Sequence, residues 1–279
     1  MRSIPFRTPS PLPGFTLSLA ITLSFLSVIV LLPLSALLGR GVMIGPADLW
    51  SMINTKRVWS ALTLSFRAAL IASLFNLVFG LALAWVLVRY RFWGRRLIDA
   101  AVDLPFALPT AVAGIALTSL YAPTGVFGAV AGRLGIRIAY TEVGIWIALV
   151  FVGLPFVVRS VQPMIEEIDR EWEEASATLG ASRAYTLRRV VLPVLMPALL
   201  TGFSLAMARS VGEYGSVIFI AGNLPNRTEI APLLIVIRLE EFNYDAATAI
   251  GIAMLIIAFA ILLSLNALQV WNRRRIGNG

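Results

Sequence analysis

Hydrophobic positions in this chain gather into six long runs. They begin near Phe15, Ser60, Asp99, Thr141, Pro197 and Asp245 and end near Leu38, Val88, Tyr121, Gln162, Ala221 and Val270. Each can cross a hydrocarbon layer of about 30 Å, which takes about 20 helical residues. None alternates with the period of a strand, and lipid offers no water to an open backbone, so the pattern predicts an all-α integral membrane protein of six transmembrane helices. The first run follows a proline-rich stretch from Pro5 to Pro13, exceeds a signal-peptide core and lacks a small-residue cleavage site. It is expected to remain as a membrane anchor.

Composition supports lipid as the main solvent: 58% of the 279 residues are hydrophobic and 14% charged, against about one-quarter charged in soluble domains. Cysteine and histidine are absent, which removes disulfides, thiol nucleophiles, imidazole bases and the usual zinc ligands. No catalytic or metal-binding residue is assigned. The net charge of +8 is explained by membrane topology rather than nucleic acid, because the arginines lie between apolar spans.

Arg2, Arg7, Arg89, Arg91, Arg95, Arg96, Arg159, Arg170, Arg183, Arg188, Arg189, Arg273, Arg274 and Arg275 fall on one side of the membrane. The other side has Arg40, Lys56, Arg57, Arg133, Arg137, Arg227 and Arg238. The positive-inside rule then places both termini, and the segment from Arg159 to Pro193, in the cytoplasm.

In that segment Ile165, Ile168, Trp172, Ala175 and Leu179 recur at helical spacing, opposite Glu166, Glu167, Asp169, Glu171, Glu173 and Glu174. Gly180 follows where a helix terminus favours glycine, and Ser182 can cap a second short helix through Leu187. Helix, turn and helix are expected. On charge pattern alone this is a solvated connector. Its spacing says more. Glu174, Ala175 and Ser176, then Gly180, then Val190, Leu192 and Pro193 resemble the signature of binding-protein-dependent ABC importer permeases. There a Glu-Ala-Ala-like triplet precedes a glycine and an aliphatic-x-Leu-Pro element. Ser176 departs from the usual alanine, and Val190 from the commoner isoleucine.

The resemblance implies a type I ABC importer permease fold, with this coupling loop, about 164–193, docking into a separate ATP-binding subunit. It divides the chain into residues 1–59 (cytoplasmic tail, first helix, extracytoplasmic loop), an importer transmembrane domain over 60–270, and a cytoplasmic basic tail over 271–279. A phosphate-binding loop of its own is excluded: the motif needs glycines before a lysine, and Lys56, the single lysine, is flanked by Asn54, Thr55 and Arg57. ATP and magnesium are therefore expected on the partner, with no cofactor in this chain.

The fifth run carries Arg209 and Glu213, one helical turn apart, then Tyr214, Gly215 and Ser216. Ionisable residues in a membrane generally face a pathway or a partner; the plainer alternative is an ion pair that locks helices together. Arg209, Glu213, Tyr214 and Ser216 are the candidate pathway residues. Donors such as Arg209, Tyr214 and Ser216 suit an oxyanion leaving water. Pro105, Pro109, Gly114, Gly153 and Pro155 read as helix bends and close packing rather than binding sites.

The run from Arg209 to Pro225, with Asp103 to Gly114 and Ile230 to Phe242, resembles the sulfate and thiosulfate permeases within that family, a likeness extending from about Pro13 to Arg275. Molybdate and tungstate permeases, which share a similar Gly-Glu-aromatic-Gly element, are the alternative. The resemblance implies a second, homologous permease subunit, two ATP-binding subunits, an extracytoplasmic sulfate-binding protein and a bacterial inner membrane. An ion-coupled transporter or channel would need no docking loop and would favour inverted repeats, which the chain does not display; a membrane scaffold would bind a partner through the loop without moving a solute.

Overall fold

The computed structural model describes residues 14–277. The six apolar runs become helical spans: α1 (Phe15–Ile44), α3 (Lys56–Arg89), α6 with α7 (Thr110–Tyr121, Val126–Arg133), α8 (Glu142–Glu167), α10 (Arg183–Val211) and α13 (Tyr244–Gly277); the third, read from Asp99 to Tyr121, instead starts at Thr110 and is continued past Tyr121 by α7. Shorter helices join them: α2 (Pro46–Ile53), α4 (Arg95–Val102), α5 (Leu104–Ala107), α9 (Arg170–Thr178), α11 (Val217–Ile220) and α12 (Ala231–Glu240). No strand occurs among the described residues. Arg2 and Arg7 lie outside them; the backbone of the expected basic tail is helical to Gly277, and its side chains are likewise outside.

Prolines leave a common signature. Pro33 and Pro193 cannot donate to the carbonyl four residues back, and a π-helical turn occurs just before each, at Ser27–Leu31 and Leu187–Val191. The predicted bends of the third span are breaks: Asp103 separates α4 from α5, and Leu108, extended because Pro109 follows, separates α5 from α6.

The core is α3, α8 and α10. Lipid removes the hydrophobic drive between helices, so close approach at small residues must supply packing energy. A β-carbon at Gly80 would lie 2.9 Å from Val157 Cγ1, one at Gly202 2.9 Å from Val157 Cα, and one at Gly153 2.6 Å from Asn76 Nδ2. Leu87, Val161, Ile165 and Leu195 fill one half of this core; Ala68, Ala72, Ile145 and Ile220 fill the other. By contrast, the most apolar stretch of α1 buries nothing in this chain, and the helix touches the bundle near its end, where Gly41 meets Ile252.

Two ion-pair sets tie the ends of the bundle. Arg159 on α8 donates to Asp99 of α4 (2.7 Å), to Asp103 (2.6 and 2.8 Å) and to Gln162 (2.6 Å). Burial raises the Asp99 carboxyl, yet hydrogen bonds from Gln162 and Arg159, with the charges of Arg159 and Arg95, outweigh it and hold the group below its usual range. At the opposite end Arg57 donates to buried Glu229 at 2.7 and 2.8 Å, and the Ser65 hydroxyl accepts from the Ala231 amide at 2.8 Å.

The fifth span differs from its predicted extent. It starts at Arg183 rather than Pro197 and ends at Val211 rather than Ala221. Arginines 183, 188 and 189 lower the hydropathy of its first turns, but they sit at the end of the span, where water is available. Its last predicted residues form a turn and α11 instead.

Candidate functional site: a tethered loop and an intramembrane turn

The loop is built from its caps. Helix α8 stops at Glu167, and the Asp169 carboxylate accepts from the Glu171 amide at 3.2 Å to start α9. At the other end Gly180 has φ +80°, its amide bonds Ala177 O at 3.0 Å, and the Ala181 amide bonds Ser176 O at 3.1 Å. This is a Schellman terminus, and its left-handed residue is the expected glycine. Ser182 then accepts from the Tyr185 amide at 3.3 Å and opens α10. The segment between the two long helices is thus 168–182, within the 164–193 read as the coupling loop. The expected apolar face is split: Ile165 and Ile168 are buried in the bundle, whereas Trp172, Ala175 and Leu179 project from α9. The second helix is no separate short one but the start of α10, which also carries Leu192 and exposed Pro193.

Three membrane helices hold α9. It follows α8 directly. On α3, Arg89 donates to Ile168 O at 3.0 Å, lies 2.9 Å from a Glu173 oxygen without hydrogen-bond alignment, and stacks over Trp85 at 5.4 Å. On α10, the Thr186 hydroxyl lies 2.7 Å from that of Ser176. The residue departing from the family triplet therefore forms a tether. Sequence reading used Arg89 only for orientation; its place at the last turn of a helix, where a cation meets the negative end of the dipole, was the available signal.

Outward, α9 presents Trp172 (52% exposed) and Leu179 (88% exposed), bordering a cleft with Gly180, Tyr185 and Val190. Glu166, Glu167, Asp169, Glu171 and Glu174 are exposed around it. A β-carbon at Gly180 would meet nothing within 4 Å in this chain. An apolar surface with an acidic border, fixed to the core of the bundle, can receive a partner and pass on its movement.

The second region is the turn after α10. Ser210 and Asn76 lie beside Gly153, in the middle of α8, which places the turn well inside the membrane. Arg209 pairs with Glu213 Oε2, while Glu213 Oε1 accepts from the Ser216 amide at 2.8 Å and the Ser216 hydroxyl at 2.9 Å. Glu213 and Ser216 are buried, Tyr214 is half-buried against the half of the core that holds Ile145 and Ile220, and the Arg209 side chain keeps 34% exposure. The structure thus brings Arg209, Glu213 and Ser216 together, with the carboxylate occupied inside the chain. Helix α6 presses against this turn: a β-carbon at Gly215 would lie 2.1 Å from Thr110 Oγ1, and one at Gly114 2.5 Å from Ser216 O. Gly114 and Gly153 are close-packing residues, as the plainer reading held.

The model of binding-protein-dependent transport system inner membrane components matches residues 76–278. The sulfate transport system permease protein CysT of Salmonella typhimurium is 49% identical over 268 residues, covering 96% of this chain and 97% of its own. The protein of that name from Synechocystis is 43% identical over 279 residues, covering 98% of each. Among solved structures, a bacterial ABC transporter that imports alginate superposes with a TM-score of 0.75 at 17% identity, covering 94% of this chain and 95% of that one. The methionine ABC transporter MetNI superposes with a TM-score of 0.57 at 17% identity, covering 76% and 94%. These likenesses establish the type I importer permease fold, and the multi-pass chain belongs to the family of binding-protein-dependent transport system inner membrane components, together with the permeases named CysT.

Proposed function

We propose that this chain is the permease subunit of an ATP-driven importer of sulfate and thiosulfate in a bacterial inner membrane, with both termini in the cytoplasm. The carrying observation is the exposed apolar face of α9 on a loop tied to three membrane helices, in a chain 49% identical over nearly its full length to a sulfate permease. The reading includes a CysW-like permease partner, two CysA-like ATP-binding subunits that hold ATP and magnesium, and an extracytoplasmic sulfate-binding protein.

In this mechanism α9 sits in a cleft of an ATP-binding subunit. Closure of the ATPase pair displaces α9, and the Arg89 and Ser176 tethers with the α8 connection carry that displacement into the α3, α8 and α10 core. Because the core is close-packed at glycines, its helices move as bodies rather than deform. The pathway opens outward when the pair is closed and inward after hydrolysis. A dianion leaving water needs charge-assisted donors. Arg209 is the pathway residue best placed to supply them; Glu213 and Ser216 hold it, and Tyr214 lines the same turn. Much of the selectivity rests with the binding protein.

The test is uptake of radiolabelled sulfate by cells with and without the chain, with an ATP-depleted control and unlabelled thiosulfate and molybdate as competitors. Loss of ATP-dependent uptake on deletion, with competition by thiosulfate, is expected. Unchanged uptake in a strain with no other sulfate importer contradicts the reading, and competition by molybdate alone reassigns the substrate.

A further inference from the structure

The α3–α4 corner, Tyr90 to Ile98, takes no part in the coupling described above. It lies on the α9 side of the bundle: α3 ends at Arg89, which reaches α9, and Val102 at the end of α4 packs with Leu87 and Ile165. Arg159 holds α4 through Asp99, which shares the bundle-facing side of the helix with Val102 and Arg95. What remains is an outward strip of two chemistries. Trp93 is 99% exposed, Leu97 75%, Tyr90 57% and Ile98 41%. Arg91 and Arg96 are exposed and form no ion pair among the described residues, while Arg95 is half-buried, one turn before Asp99, whose carboxyl feels its charge.

We propose that this strip binds the headgroups of anionic phospholipids in the leaflet on the α9 side. Trp and Tyr beside arginines, at the level where spans end, have the makeup of an interfacial anchor: rings and aliphatic side chains settle at the acyl boundary while guanidiniums take phosphate. Arg96 also occupies the first turn of α4, where the helix dipole disfavours a cation and no side chain caps the helix, so a neighbouring anion relieves both. Charge argues for lipid over the ATP-binding subunit. The docking face of α9 has an acidic border, whereas this strip is cationic, so one complementary protein surface does not suit both.

The test is made on the assembled transporter, stripped and then supplied with equal phosphatidylglycerol and phosphatidylcholine. Retained lipids are counted by native mass spectrometry at low and high salt. Phosphatidylglycerol should be retained several-fold over phosphatidylcholine, with the excess falling at high salt. Each exposed arginine replaced by glutamine should weaken retention about fivefold, and Arg91→Gln with Arg96→Gln should abolish the excess without loss of the ATP-binding subunit. If the double variant does not assemble, Arg96→Gln alone reads out the same effect. Equal retention of the two lipids, an excess that survives the double variant, or loss of the ATP-binding subunit with lipid retention unchanged overturns the proposal.

Discussion

The loop after α8 and the turn after α10 both hold conspicuous polar residues, and they use them in opposite ways. In the loop, the polar groups anchor α9 from behind while the apolar side chains Trp172 and Leu179 are left outside. In the turn, the charges close on each other: Glu213 receives Arg209 and two Ser216 donors, and small residues seal the rest. The difference follows from the surroundings. Beyond the membrane, exposed apolar surface seeks a partner; inside it, a carboxylate must first be satisfied by its own chain.

The sharpest way to break this contrast is at Gly180. Tryptophan there has space in the isolated chain but meets an unfavourable backbone angle and crowds the docking face. Membrane levels should stay near normal while uptake falls to background; normal uptake by a stably inserted Gly180→Trp chain removes α9 as the docking element. Next is Arg209→Ala, which leaves Glu213 buried without its cation. Uptake should drop at least tenfold, well beyond any fall in membrane level, and unchanged uptake takes Arg209 off the pathway.

Third is packing. Gly114→Val drives side-chain atoms into the Ser216 backbone, an overpacking cost of about 1–3 kcal/mol. It should reduce membrane accumulation in parallel with uptake, as measured by immunoblot beside transport assays. A transport defect at full accumulation points instead to a pathway role. Smallest is the tether pair. Ser176→Ala loses one neutral hydrogen bond, worth about 1 kcal/mol, and should lower the uptake per ATP hydrolysed only modestly. Arg89→Ala should lower that ratio further, because it removes the Ile168 bond and the Glu173 pairing together. Equal ratios in both variants and the parent discard the tether account.

The loop was readable because cap chemistry is local: Gly180 and Ser182 act within a few residues of themselves, and both fall where expected. The six spans were readable because bilayer thickness imposes a length. Hydropathy failed at the fifth span, since it gives the same score to a continuous helix and to a helix that ends in a satisfied turn. Only tertiary contacts, Gly215 against Thr110 and the Tyr140 amide donating to Ile220 O at 2.7 Å, decide that the chain turns there. The Ser176 to Thr186 and Arg89 to Ile168 tethers were illegible for a like reason. They join residues on different helices, and no spacing rule connects them.

The most direct test of the central claim uses the absence of native cysteine. Leu179→Cys introduces a single thiol on the outer face of α9, to which a benzophenone maleimide is attached in membranes containing the assembled transporter. Illumination should crosslink this chain to the ATP-binding subunit, with a yield that changes when ATP is added. A transporter that remains active yet gives no such crosslink, with or without ATP, contradicts the account.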